Sequence, residues 1–102
     1  MAVGLSKPTI DRVDDVFPGA DRKLVRQLLE QDCADTLPSW RKATPSGLER
    51  IRFAVLKLSG GTLDGLRTAI GQAHTDWRDV LVAAGFADAV DAHLAWRPRS
   101  DD

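Results

Sequence analysis

The sequence predicts an all-α protein, a small single-domain bundle of five to six short helices. Apolar residues recur at helical spacing, Pro and Gly pairs separate the periodic segments, and no segment alternates apolar and polar residues as a strand does. The 102 residues fit one domain, 1–102, in which 1–7 and 98–102 are expected to be flexible tails. With 43% hydrophobic and 28% charged residues, the composition is that of a globular protein.

Two helices and a loop are expected in the N-terminal part of the chain. The first helix is expected from about Pro8 to Phe17, where the Pro-Gly pair at 18–19 ends it. A second helix is expected from about Ala20 to Gln31. The next segment, 32–43, has no helical period, so we interpret it as a loop. The apolar stripe of the second helix consists of Leu24, Val25, Leu28 and Leu29.

A central helix is expected from Pro45 to Ser59. Thr44 can accept bonds from the first free N–H groups of this helix, and Pro45 suits its first position. Apolar residues fall on two sides of the helix, which is typical of a helix in the centre of a fold. Only a strip around Arg50 and Lys57 is expected to face water.

Further short helices are expected after the glycine pair 60–61, which ends the central helix. The first of them is amphipathic, with a clean apolar stripe that is expected to lie on the core. In the last one, His93 and Leu94 are expected to face inward, together with Trp96. The expected helices cover 62–73, 75–84 with a cap at Thr75 or Asp76, and a short stretch from Asp88 onward.

The charges are balanced, with 14 basic and 15 acidic residues spread evenly over both halves of the chain. Because Lys and Arg supply most of the affinity of proteins for nucleic acids, nucleic-acid binding is disfavoured. Cys33 is the sole cysteine, so no intrachain disulfide can form. Its neighbours Asp32 and Asp35 are expected to raise the pKa of the thiol and make it a poor nucleophile. No apolar run approaches the roughly 20 residues of a membrane span, so a cytoplasmic location without membrane contact is the default expectation.

Several segments between Arg50 and Trp96 resemble a family of small bacterial proteins of unassigned function. These segments are RFAVLKLSGG at 52–61, TDWRD at 75–79 and AAGF at 83–86. The resemblance covers about the second half of the chain and implies a shared helical C-terminal half. It implies no activity, substrate or catalytic residue.

The densest group of polar and aromatic residues is Thr75–Asp79. Asp76 and Asp79 fall in a first helical turn, where carboxylates are favourable, so we interpret them as capping residues. Alternatively, Asp76, Asp79, His74 and His93 form a metal or acid–base site, since carboxylates and imidazole suit both tasks. Neither histidine has the close spacing of a metal motif, so no catalytic residue, cofactor site or metal site is assigned.

Five residues are candidates for contact with a partner. Trp40, Arg41 and Lys42 lie in the expected loop, and Trp and Arg are the residues that dominate interaction hot spots. The alternative for Trp40 is that it folds back onto the core. Arg50 and Lys57 are added as the exposed cations of the central helix.

A non-catalytic protein-interaction or regulatory module is the leading prediction, because binding needs only a shaped surface. The expected partner is another protein or a second copy of the chain, and no small-molecule ligand is evident. A helix-turn-helix DNA-binding protein is the alternative, since a short glycine turn joins the helices at 45–59 and 62–73. A small enzyme using Asp76, Asp79 and His93 is the third hypothesis.

Overall fold

Helices make up the protein wherever its structure is described. The structure is a computed structural model that describes residues 5–17, 19–33, 45–87 and 92–96. These residues contain no strand, so the all-α class is confirmed for them. The elements are α1 (Lys7–Val16), α2 (Gly19–Asp32), α3 (Pro45–Ser59), α4 (Leu63–Ala84) and a 3-10 helix (Ala92–Ala95).

The predicted number of five to six short helices is slightly off, because the helices predicted at 62–73 and 75–84 meet at a kink within the single 22-residue element α4. The predicted break survives as a kink at Asp76, whose backbone is extended (φ −159°, ψ 103°). The Asp76 carboxylate accepts a bond from the backbone N–H of Arg78 at 3.0 Å. A capping residue with a non-helical backbone therefore separates two helical segments of α4, which follow one another without a loop.

The helix α3 lies at the centre of the fold, as its two-sided apolar pattern predicted. Six consecutive residues, 51–56, are buried, and α3 packs against α1, α4 and the 3-10 helix. The apolar core of the described residues also draws on every other α-helix. Its members are Val13, Phe17, Val25, Leu29, Cys33, Ile51, Phe53, Ala54, Val55, Leu56, Leu66, Ala69, Ile70, Ala73, Val80, Leu81, Ala84 and Phe86.

A tight turn at 60–62 folds α4 back against α3. Gly60 and Gly61 both have positive φ, which side chains rarely tolerate, and the hydroxyl of Thr62 caps α4 by accepting from the N–H of Gly65 at 3.0 Å. A Cβ atom on Gly65 would lie only 2.1 Å from the carbonyl oxygen of Ser59. The close approach of the two helices at this turn therefore requires glycine at position 65.

The first two helices pack on α3 and α4 and are tied to each other by arginines. Ser6 caps α1 by accepting from the N–H of Thr9. On α2, Arg22 donates to the carbonyl oxygens of Phe17 and Asp14 at the end of α1. These bonds satisfy carbonyl groups that have no partner within α1.

The 3-10 helix presents one face to α3. His93 is buried, as predicted, and Trp96 is half-buried, whereas the prediction that Leu94 faces inward is wrong, because it is 45% exposed. With three residues per turn, residues 93 and 96 share a face and residue 94 points elsewhere. Of the loop predicted at 32–43, Asp32 belongs to α2 and residues 34–43 lie outside the described residues. The helix start at Asp88, residues 1–4 of the tail predicted at 1–7 and the tail predicted at 98–102 also lie outside them.

Candidate functional site

Three of the five predicted interaction residues, Trp40, Arg41 and Lys42, lie outside the described residues. Their role in binding a partner stays a prediction. The other two, Arg50 and Lys57, lie on α3 and can be placed in detail.

Arg50 and Lys57 bind backbone carbonyls at the C-terminal end of α4. The guanidinium of Arg50 donates through Nε and Nη2 to the carbonyl oxygen of Phe86. The ammonium of Lys57 donates to the carbonyl oxygen of Ala84 at 2.9 Å and lies 5.1 Å from the centre of the Phe86 ring. Cations are favourable at this end of a helix, where the last carbonyls lack partners. Both side chains therefore hold α4 against α3.

The structure does not bring Asp76 and Asp79 together with His93. Both carboxylates line a groove of about 290 Å³ along α4, and His93 is not among the described residues that line it. His93 instead places Nε2 3.1 Å from Oε1 of Glu49 on α3. No group of three or more possible metal ligands occurs within the described part of the chain.

Sequence reasoning missed Glu49 as the partner of His93. The two paired residues are 44 positions apart, so no local spacing connects them. The ring of His93 packs edge-on against Phe53 at 4.8 Å between centroids, and Phe86 and Trp96 complete the aromatic cluster. With His93 only 2% exposed, the Glu49–His93 pair attaches the 3-10 helix to α3.

A second buried polar pair joins α2 to α3. The guanidinium of Arg52 is 2% exposed and donates from Nε to the carbonyl oxygen of Cys33 at 2.9 Å. Burial raises the pKa of the Cys33 thiol to about 12, Arg52 counteracts the rise, and Asp32 adds to it. Burial also lowers the pKa of Arg52, whereas Cys33 and Glu30 oppose that shift. The thiol is therefore protonated at neutral pH and has little nucleophilic character.

Sequence reasoning missed the burial of Arg52. The signal is its position between Ile51 and Phe53 within the predicted central helix. On a helix that is apolar on two sides, a long side chain in the middle of the apolar run has few ways to reach solvent.

The outward side of α4 is a helical surface that no other described element covers. We call it the outer face, and it comprises exposed residues of the two segments of α4 that meet at the Asp76 kink. It lies opposite the buried stripe of α4, which includes Leu66, Ala73 and Val80. The outer face consists of Asp64, Arg67, Thr68, Gly71, Thr75, Arg78 and Val82, all of them exposed.

Two features distinguish the outer face from an ordinary solvated helix surface. Val82 leaves 66% of its surface exposed, more than any other large apolar residue in the described ranges. Gly71 lies in the middle of the helix, and a Cβ atom there would meet no described atom within 4 Å. Glycine is destabilising inside a helix, and the described packing gives no reason for it at this position.

Grooves run along both sides of the outer face. One is the 290 Å³ groove at Asp76 and Asp79. The other measures about 390 Å³ and lies between α2 and α4, where His74 Nε2 bonds the carbonyl oxygen of Asp32 at 2.5 Å. Because the carbonyl can only accept, Nε2 carries the proton in this bond. The outer face is therefore a ridge between two shallow depressions.

Comparisons with protein-family models, with curated proteins and with solved structures found no match to this chain. The resemblance to small bacterial proteins therefore stays a prediction. None of the helices in the described ranges combines the length and the apolar character that a membrane crossing requires.

Proposed function

We propose that this chain is a non-catalytic protein-interaction module that binds its partner through the outer face of α4. The observation that carries the proposal is the combination, on the exposed side of α4, of an uncovered Val82 and a Gly71 for which the described residues show no packing role. A partner that covers Val82 would remove apolar surface from water, and a glycine allows the close approach of another backbone. A cytoplasmic location and a place among small bacterial proteins are part of the same proposal.

The reactive groups of the described residues support a binding role over an enzymatic one. The Cys33 thiol is buried and protonated, and the His93 ring is enclosed by the aromatic cluster against Glu49. The Asp76 carboxylate bonds the backbone N–H and Nε of Arg78. Each of these groups already has a structural task, and a general acid–base site needs an accessible one.

DNA binding is the less favoured alternative. The arrangement of α3, a short turn and α4 is compatible with a helix-turn-helix motif, but a recognition helix needs several donors for bases and phosphates. The outer face presents Arg67 and Arg78 together with Asp64. On α3, Arg50 and Lys57 are engaged by backbone carbonyls. The charge of the exposed surface therefore favours a protein partner.

Site-specific photo-crosslinking tests the proposed surface. A photo-reactive amino acid is placed at Thr75 on the outer face and, as a matched control, at Gln27 on the exposed side of α2. We expect Thr75 to yield a discrete adduct, identified by mass spectrometry, that Gln27 does not yield. Equal adducts from both positions, or none from Thr75, would contradict the proposal.

Titration with duplex DNA separates the two binding hypotheses. At about 150 mM salt we expect no binding tighter than roughly micromolar, the weak end of non-specific affinity. A sequence-specific nanomolar complex would place DNA binding ahead of protein binding.

A further inference from the structure

We propose that the groove between α2 and α4 binds a free α-amino acid with a large apolar side chain. The groove measures about 390 Å³ and is lined by Leu28, Asp32, Arg67, Ile70, Gly71 and His74. This inference goes beyond the proposed function, because it assigns a small ligand to the groove and leaves the protein partner on the outer face. The side chain, the carboxylate and the ammonium group of such a ligand each have a counterpart among the lining residues.

The apolar lining of the groove suits the side chain of the ligand. Leu28 on α2 and Ile70 on α4 pack against the core and border the groove with apolar side chains. Gly71 follows Ile70, and a Cβ atom there would meet no described atom within 4 Å. The space beside Ile70 is therefore open, and a ligand that fills it removes apolar surface from water.

Two opposite charges line the groove without being paired. Arg67 and Asp32 are both exposed, and within the described ranges neither forms an ion pair, with the other or with a third residue. A ligand with a single charge would match one of them and meet a like charge at the other. A zwitterion carries both charges and is complementary to the groove.

The polar groups of the groove match the hydrogen-bonding groups of an amino acid. The planar guanidinium of Arg67 can donate two parallel bonds to a carboxylate. An ammonium group has three donors, and the Asp32 carboxylate can accept one of them. Nδ1 of His74 can accept another, because Nε2 of the same ring carries its proton in the bond to the Asp32 carbonyl.

The size of the groove favours a small ligand over a protein segment. Pockets for drug-sized ligands measure roughly 300–1,000 Å³, and a groove of about 390 Å³ lies at the low end of that range. An amino acid carries its anion, its cation and its apolar side chain on a single carbon atom, so all three fit into one groove. Because the groove is shallow, we expect a dissociation constant of about 0.1–1 mM.

Titration of the isotope-labelled full chain with L-leucine, followed by NMR, tests the site. We expect saturable shifts of the backbone amide signals of Gly71 and His74, and similar shifts with L-phenylalanine. Glycine lacks the side chain, leucinamide lacks the carboxylate and N-acetyl-leucine lacks the ammonium group. Each of these three compounds should bind at least roughly tenfold more weakly than leucine, since each leaves one part of the groove without its counterpart.

Substitutions of the two charged residues identify the groups that hold the ligand. Arg67→Gln should weaken leucine binding about tenfold and leave leucinamide binding unchanged, because the amide has no carboxylate for Arg67 to bind. Asp32→Asn should weaken leucine binding in the same way and leave N-acetyl-leucine binding unchanged. Lys23→Gln and Asp11→Asn make the same changes of charge at exposed positions outside the groove, and both should keep the wild-type affinity. Circular dichroism verifies that each variant keeps its helical content.

Three results would overturn the inference. The first is a flat titration with both leucine and phenylalanine up to about 10 mM. The second is leucinamide or N-acetyl-leucine that binds as tightly as leucine, which would indicate an apolar segment of a protein as the occupant. The third is an unchanged leucine affinity in Arg67→Gln or Asp32→Asn, which would place the ligand elsewhere. The adduct at Thr75 tests the proposed function separately, because it requires no amino acid in the groove.

Discussion

The helices α3 and α4 are joined by a turn of three residues, yet they use their polar side chains in opposite ways. On α3, Arg50 and Lys57 bind carbonyls at the end of α4, and Arg52 is buried on the carbonyl of Cys33. On α4, Arg67 and Arg78 belong to the outer face and are exposed. The cations of α3 bond backbone carbonyls of the fold, even though Lys57 is exposed, whereas Arg67 and Arg78 of α4 lie at the surface.

The contrast shows that the position of a helix in the fold determines what its lysine and arginine side chains bind. A cation near the centre of the fold lies within reach of carbonyls that have lost their water, and an unpaired carbonyl there would be costly. A cation on the outer face is hydrated, and no buried carbonyl depends on it for a hydrogen bond. Arginine content alone therefore does not distinguish a structural helix from a binding helix.

We expect the largest difference in the free energy of unfolding between two truncations, one of a core side chain on α3 and one of an exposed side chain on α4. Phe53→Ala should destabilise the protein by about 3–5 kcal/mol, because it leaves a cavity beside His93 and Trp96. Val82→Ala should change the free energy of unfolding by less than about 0.5 kcal/mol. Denaturant unfolding measures both. Similar losses for the two variants would contradict the division between a buried α3 and an exposed outer face.

Two glycines of α4 allow a crowded position and an open position to be compared within one element. Gly65→Ala should destabilise by about 1–3 kcal/mol, because its Cβ collides with the carbonyl of Ser59. Gly71→Ala should stabilise the monomer by about 0.5–1 kcal/mol, since alanine is the better helix former and the site is open. Thermal unfolding at low protein concentration compares the two. A loss of stability in Gly71→Ala would reveal a packing role for that glycine in the monomer.

Substitutions near the kink of α4 distinguish a capping role of its acidic residues from a metal-binding role. Asp76→Ala should cost about 0.5–2 kcal/mol as a lost cap. Asp79→Ala, at an exposed position, should change stability by less than about 0.5 kcal/mol. Melting temperatures with and without zinc or magnesium are the measurement. If metal raised the melting temperature of wild type alone, the acidic pair would be a metal site.

Because the Cys33 thiol is buried beside α3, we expect the stability of the protein to fall slightly as the pH rises in the alkaline range. The pKa of Cys33 is about 12 in the folded protein against 9.0 for the unperturbed thiol. The folded state therefore keeps its proton while the unfolded state loses it, and stability falls as pH rises from about 9 towards 12. Between pH 8 and 9 the loss from this group should be only about 0.4 kcal/mol. Cys33→Ala is the comparison, and an identical pH profile for this variant would remove the thiol as the cause.

Much of the fold could be predicted because its signals are local. The helical period of α3, the glycine turn at 60–61 and the cap at Thr62 each occupy a few neighbouring residues, and the structure confirms them. The break at Asp76 was also visible as a capping signal. Whether it produces a loop or a kink depends on how the next turn packs, so the predicted number of separate helices was slightly off.

The sequence alone determined the helical class and the central position of α3, because helical periodicity acts over one or two turns. It predicted a raised pKa for Cys33 from the acidic neighbours, but burial in the tertiary structure is the main cause and Asp32 only adds to it. Only the tertiary structure decided that Glu49 pairs with His93, that Arg52 is buried and that Arg50 and Lys57 bind the end of α4. These contacts join residues between 19 and 44 positions apart. Side chains at such separations meet only when packed helices bring them together, and no local pattern encodes that meeting.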